Sequence, residues 1–108
     1  MDAWEIADLL EQRAELGERY LEFFESAELS LGIYRLGVGE IDPQQPHTED
    51  EIYYIVRGRG QISVSGEDRA ICPGSVVFVA AAVEHRFHSI EEDLEMLVVF
   101  APPRRSRA

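Results

Sequence analysis

Cysteine is almost missing from this chain: Cys72 stands alone among 108 residues, which excludes an intramolecular disulfide and fits a reducing, cytoplasmic setting. Long apolar runs are missing too. Nothing approaches the ~18–20 residues of a membrane span, and the opening MDAWEIADLL is acidic where a signal peptide would be basic. Positive charge is scarce, with 10 basic against 21 acidic residues and a formal net charge of −11. Such a surface repels phosphate backbones and anionic lipid, so neither a nucleic acid nor a membrane is expected as a partner. The one basic cluster is the tail RRSRA, where Arg104, Arg105 and Arg107 follow Pro102 and Pro103, and it reads as a frayed, solvated end.

What the chain does have is 45% hydrophobic residues, enough for one core and one domain at this length. The pattern predicts a helix within residues 1–17, a β-barrel over 18–101 and a flexible tail over 102–108. Trp4, Ala7 and Leu10, flanked by Ile6, Leu9 and Ala14, follow helical spacing; Asp2 with Glu5 resembles a capping box, and Gly17 provides a stop. Beyond Tyr20, short aromatic and β-branched segments alternate with turn residues, predicting strands near 20–25, 29–37, 51–57, 60–65, 69–72, 75–79, 84–89 and 94–100. Ser65-Gly66-Glu67 and Cys72-Pro73-Gly74-Ser75 read as turns. So many strands in one small domain favour an all-β fold, a sheet closed on itself with the helix against it, because closure removes exposed edges.

The stretch QPHTEDEIYYIVRGRG raises the functional question. Regular alternation would place Gln45, His47, Glu49, Glu51, Tyr53 and Ile55 on one face and Thr48, Asp50, Ile52, Tyr54 and Val56 on the other. Both faces turn apolar after Glu51, which suits a strand buried on both sides. Polar groups carried into a barrel lumen cost free energy unless they share a partner. A second stretch, PGSVVFVAAAVEHRFHSI, places His85 and Phe87 on one face of a strand and Arg86 and His88 on the other. His47, Glu51 and His85 together form a two-histidine, one-carboxylate set, which suits a divalent ion with open coordination positions. The bland reading is a metal-free barrel whose core polar groups hydrogen-bond to one another.

These residues resemble the cupins. Gly39, Gln45, His47, Glu51 and Gly58 keep every interval of the first cupin motif, with Gln45 standing where the first histidine would be. Gly74 and His85 match the second motif, while Ala80, Ala82 and Ser89 replace its proline, glycine and asparagine. The likeness covers about residues 29–100. It implies a double-stranded β-helix, or jelly-roll barrel, usually a homodimer, with a divalent metal (Fe, Mn, Zn or Ni) held by His47, Glu51 and His85. Gln45 would join as a ligand, hold a metal-bound water, or bond to a neighbour.

The remaining polar and aromatic residues each have two readings. Glu49 is a further ligand or general base, or else an exposed rim carboxylate. Tyr34, Tyr53 and Phe87 line a substrate pocket or simply pack. Arg35, Arg57 and Arg59 meet an anionic substrate or snorkel along the sheet surface. His88 lies at the outer surface or a subunit contact, Cys72 packs in its turn, and Gly58, Gly60 and Gly74 serve turns or close backbone approach. Two functions follow. One is a small metal-dependent enzyme, of oxygenase or isomerase type, acting on a small-molecule substrate; the other is a non-catalytic barrel that binds a small molecule or ion.

Overall fold

The computed structural model describes residues 1–105, so Arg107 of the expected tail lies outside the described residues. The helix α1 spans Ile6–Leu16, starting later than expected. Glu5 is its N-cap and makes no side-chain cap bond, so the box suggested by Asp2 and Glu5 does not form. Gly17 ends the helix in the left-handed region at φ 69°, as expected of a residue without Cβ strain. The buried face is Leu9, Leu10 and Arg13, narrower than the predicted stripe. Trp4 precedes the helix and meets Phe23 and Phe24 edge-on, with centroids 5.1 and 5.4 Å away. Leu9 and Leu10 close over Ile33, Val56 and Leu97, so the helix covers the outside of the sheet.

The strands are β1 (Tyr20–Glu25), β2 (Ser30–Leu36), β3 (Asp50–Val64), β4 (Glu67–Ile71), β5 (Val76–Val79) and β6 (His85–Ala101). All pairings are antiparallel, in the order β1-β2-β6-β3-β4, with β5 also on β3. The fold is a double-stranded β-helix, but with fewer and longer strands than the sequence suggested. Predicted strands 51–57 and 60–65 are one strand, as are 84–89 and 94–100. Strands β3 and β6 pair from Asp50↔Ala101 to Val64↔His85, and the ladder shifts register around Arg57 and Arg59. Such bulges bend a strand without ending it. Gly58 makes the bend possible: it sits at φ 95°, and a Cβ there would collide with the Asp93 carbonyl of β6.

After the bend the second half of β3 carries β4, while its first half carries β5. The inward side chains build the core, with Leu36, Ile55, Ile62, Phe87, Leu94 and Met96 all essentially inaccessible. Double burial of β3 is not observed. Ile52 and Tyr54, expected to be covered, lie on an exposed outer face, because the helix reaches only as far as Val56. Ser65 and Gly66, both at positive φ, make the two-residue turn between β3 and β4. The Ser75 N–H donates to the Cys72 carbonyl at 2.9 Å and closes the second predicted turn.

The close approach at Gly58 gives the first prediction. Gly66→Ala, at φ 82° in open space, should cost about 1–2 kcal/mol from left-handed strain alone. Gly58→Ala adds a collision with backbone that cannot move aside, and should cost on the order of 3 kcal/mol or more. Urea midpoints at unchanged slope measure both, and equal losses would show that the bend tolerates a side chain.

Candidate metal centre and adjoining cavity

Glu51 lies near the start of β3, paired with Val79 and Phe100, and its residue is 1% exposed. His85 opens β6 and pairs with Val64 at the far end of β3, yet its ring reaches back to Glu51 because the bent sheet closes. His47 comes from the loop before β3. The turn over Ala80–Val83 ties this loop down: the Ala82 N–H donates to the His47 carbonyl at 2.6 Å and the Ala81 N–H to Asp50 Oδ1 at 2.8 Å. Ala82 adopts φ 65°, a left-handed conformation that favours glycine.

The three side chains converge. His47 Nε2 lies 3.1 Å from Glu51 Oε1, and His85 Nε2 lies 3.3 Å from Glu51 Oε2. One ligand atom from each falls within 4.8 Å of the others. Two ligands that share an ion at about 2.1 Å stand roughly 3.0–3.4 Å apart, so these separations fit a common cation. His85 Nδ1 is 3.0 Å from the Val83 carbonyl, which can only accept, so the Nδ1–H donates there and Nε2 presents its lone pair when neutral.

Burial holds the His47 pKa below its ordinary 6.5, against the partial opposition of Glu51. Burial also lowers that of His85, but Glu51 and the Val83 carbonyl outweigh it and the net shift is upward. The Tyr53 hydroxyl is pushed well above its usual value by burial and by Glu51, and stays protonated. Glu51 is the anomaly. Both its oxygens are buried and, among the described residues, neither has a hydrogen-bond partner. An uncompensated buried carboxylate costs several kcal/mol, and a cation seated between the two imidazoles would supply what is missing.

A second layer of polar groups orients the first. Asp42, which the sequence reading did not single out, is buried and accepts from the Tyr34 hydroxyl at 2.9 Å, the Phe87 N–H at 2.8 Å and Gln44 Nε2 at 2.8 Å. Gln44 is thereby fixed with Oε1 toward the cluster, 3.4 Å from His47 Nε2, and accepts from the Tyr53 hydroxyl at 3.0 Å. That hydroxyl is also 3.0 Å from His85 Nε2. The amide facing the cluster therefore belongs to Gln44. Gln45 is exposed at the rim of the cavity, because Pro43 and Pro46 interrupt the alternation that would have turned it inward.

Beside the cluster lies a cavity of about 300 Å³, whose wall includes His47, Gln44, Tyr34 and Tyr53, apolar surface from Val98 and Phe100, and Tyr20 and Arg104. Phe87 is not on that wall; it stands behind Tyr53, edge to face at 5.0 Å. Glu49 is not an exposed rim residue. It is 2% exposed, accepts from the Thr48 hydroxyl and takes the Arg105 N–H at 3.1 Å. The tail is correspondingly not frayed as far as Arg105: Pro103 is buried, and the Arg104 N–H donates to the buried Ser30 hydroxyl at 3.0 Å. Arg35, Arg57 and Arg59 form surface ion pairs with Glu40 and Asp93, with Glu95 and with Glu92. His88 pairs with Asp68 on the outside at 2.7 Å, and Cys72 sits half-buried in its turn beside Ser75.

Comparison with known proteins agrees with this architecture. The family model described as "Cupin domain" matches residues 32–100, and the chain belongs to that family. It is 45% identical over 103 residues to the uncharacterized protein SCO3923 of Streptomyces coelicolor, covering 95% of this chain and 98% of that one. Among solved structures it resembles BH2720 of Bacillus halodurans, with TM-score 0.81, 15% identity and coverage of 96% and 83%. It also resembles TT1209 of Thermus thermophilus, with TM-score 0.76, 23% identity and coverage of 95% and 99%. Each likeness to a solved structure establishes the fold.

The orphaned carboxylate generates a prediction of its own. Glu51→Gln removes a buried negative charge and supplies an amide that can donate to an imidazole, so the metal-free protein should gain on the order of 1–3 kcal/mol. The same variant should lose any thermal shift on adding Mn(II), Fe(II), Ni(II) or Zn(II). Denaturant titration and thermal melts, with and without metal, check both halves.

Proposed function

We propose that this protein is a small metal-dependent cupin enzyme that binds a divalent ion through His47, Glu51 and His85 and acts on a small molecule admitted to the adjoining cavity. The observation that carries the reading is the fully buried Glu51 carboxylate, unpartnered at both oxygens and flanked by two Nε2 atoms. A bound ion would act as a Lewis acid toward an oxygen of the substrate, consistent with isomerase or oxygenase chemistry. The chain's own groups would do the rest. Asp42 and Gln44 hold Tyr53 in place: its protonated hydroxyl donates to Gln44 Oε1 and stands 3.0 Å from His85 Nε2, and its one proton would have to leave Gln44 to serve a substrate oxygen. Val98 and Phe100 give the cavity an apolar wall on which a substrate's hydrocarbon part would displace water. Tyr53, a buried donor at the cavity wall next to the cluster, favours this over a barrel that only stores an ion.

The test is elemental analysis of untagged protein purified without chelators, followed by thermal melts. A saturating ion should stabilise the fold by ~2.7 kcal/mol at a hundredfold excess over its dissociation constant. His85→Ala should abolish both stoichiometric metal and this shift, and their persistence would overturn the assignment.

Acidity supplies a second check, because each imidazole must be neutral to bind. His85, whose pKa is raised, takes up its proton first as pH falls, so affinity should begin to drop above pH 6.5. His47, whose pKa is lowered, protonates only below that value, so the decline should steepen there from one competing proton toward two. A titration by calorimetry reads the slope directly.

We also propose that the chain forms a homodimer through the outer face of β3 and β5. Ile52, Tyr54, Val76 and Phe78 are adjacent across the ladder, and each is between 41% and 63% exposed. Apolar side chains side by side on a solvated sheet face are unusual for a monomer. At a net charge of −11, two copies can approach without strong repulsion only through such an uncharged patch. Phe78→Asp should convert a dimer to a folded monomer in light scattering, leaving metal content unchanged.

A further inference from the structure

Three features of the cavity have no role in holding a cation. The first is Arg104. Its backbone is anchored on Ser30, and its guanidinium carbon lies 4.5 Å from the centroid of the Tyr20 ring. Contact with a ring holds a guanidinium in place while using none of its N–H donors. Among the described residues no carboxylate lies within ion-pair distance of Arg104, whereas Arg19, also on the cavity wall, is occupied by Glu40 at 2.9 Å.

The second feature is the Tyr20 ring, which carries the guanidinium on its face, while its hydroxyl is closed off from the cavity and has no hydrogen-bond partner among the described residues. Its place is built into the fold: the phenol lies over Gly32 of β2, where any Cβ would collide with it. The third is the wall between this mouth and His47, which is largely apolar and aromatic, with Tyr34, Val98 and Phe100. A cavity of about 300 Å³ falls at the small end of ligand sites.

We infer that the cavity is a binding site for a small organic monocarboxylate, held at its acid end by the Arg104 guanidinium on the face of the Tyr20 ring, with its apolar body along Val98 and Phe100 and its far end toward His47 and Tyr53. The anion is a carboxylate because, among the described residues, Arg104 is the only arginine on the cavity wall without a carboxylate partner. A single planar fork matches the charge and the two oxygens of a carboxylate, whereas a phosphate dianion calls for further donors. The inference names the substrate class of the site proposed above, but the acid-binding end contains none of the metal ligands, so the two stand or fall separately.

The experiment uses the full chain, both chelator-treated and loaded with Mn(II). Binding of hexanoate and benzoate, of their neutral amides, and of inorganic phosphate is measured by calorimetry at millimolar ligand. The acids should bind roughly tenfold or more tightly than the amides, in the chelator-treated protein as well. Arg104→Gln should remove that preference while metal content stays at the wild-type level, Arg104→Lys should keep part of it, and Tyr20→Phe, which keeps the ring under the guanidinium, should leave it unchanged. Should Arg104→Gln fail to fold, Arg104→Lys and the acid–amide comparison on the wild-type chain still decide.

Equal binding of acids and amides, no binding of either, or tighter binding of phosphate than of any carboxylate would overturn the inference. Carboxylate binding through Arg104 in a protein that takes up no metal would sustain it and sink the metal reading. Metal uptake without carboxylate binding would do the reverse.

Discussion

A carboxylate shut away from water, touching two imidazoles and without a well-formed hydrogen bond among the described residues, is the group around which the rest of the architecture makes sense. Glu51 could be removed from water only because β5 and β6 flank it on both sides. Its two neighbours arrive by different routes, His47 from a loop and His85 from the start of β6. Native proteins keep such an arrangement when function requires it, since a packed apolar residue would be more stable at the same place. The strain at Ala82 belongs to the same account. Its N–H holds the His47 carbonyl, so a left-handed alanine keeps the loop of one histidine against the turn that leads to the other.

Geometry at this site depends on two long strands that bend together. His85 pairs with Val64, and Glu51 lies at the opposite end of the same strand, yet their side chains meet. That is possible only if β3 and β6 turn through the bulges at Arg57 and Arg59, where Gly58 lets the Asp93 backbone come close. Stability and site formation are thus not separable in this fold: a change that straightens the bend moves His85 away from Glu51 without touching either.

The same physics explains what could be read from the sequence. His47, Glu51 and His85 were legible because residue types at fixed intervals carry the chemistry, and the all-β class because β-branched and aromatic segments alternate with turn residues. The break expected at 57–60 reflects a glycine that bends a strand but looks in sequence like one that ends it, and the break expected at 89–94 reflects a polar run whose acidic side chains lie exposed while β6 continues through them. Gln45 stands out in the sequence and Gln44 does not, because strand parity points to Gln45 only if it is carried across Pro43 and Pro46, where there is no strand to preserve it. Neither reading of Glu49, as ligand or as rim carboxylate, anticipates its burial, because its partner, the Arg105 N–H, lies 56 residues away near the C-terminus. Asp42, Tyr20 and Arg104 share that difficulty. Their contacts are long-range, and nothing in their local sequence announces them.

Floor and mouth of the cavity therefore rest on different parts of the chain. The floor, with the cluster and Tyr53, is set by β3 and β6 and by the buried Asp42, which bonds to Tyr34, Gln44 and Phe87 together. Hardly any residue there can change without disturbing the others. The mouth is set by Tyr20 at the start of β1 and by the segment after β6, which Ser30 and Glu49 hold through backbone N–H groups alone. Backbone anchoring leaves the side chain at position 104 free to vary, because neither hydrogen bond depends on what that side chain is. On the functional reading proposed here, chemistry is fixed by the core while the choice of ligand is assigned to a peripheral strap, so selectivity can change without cost to the cation site or to the fold.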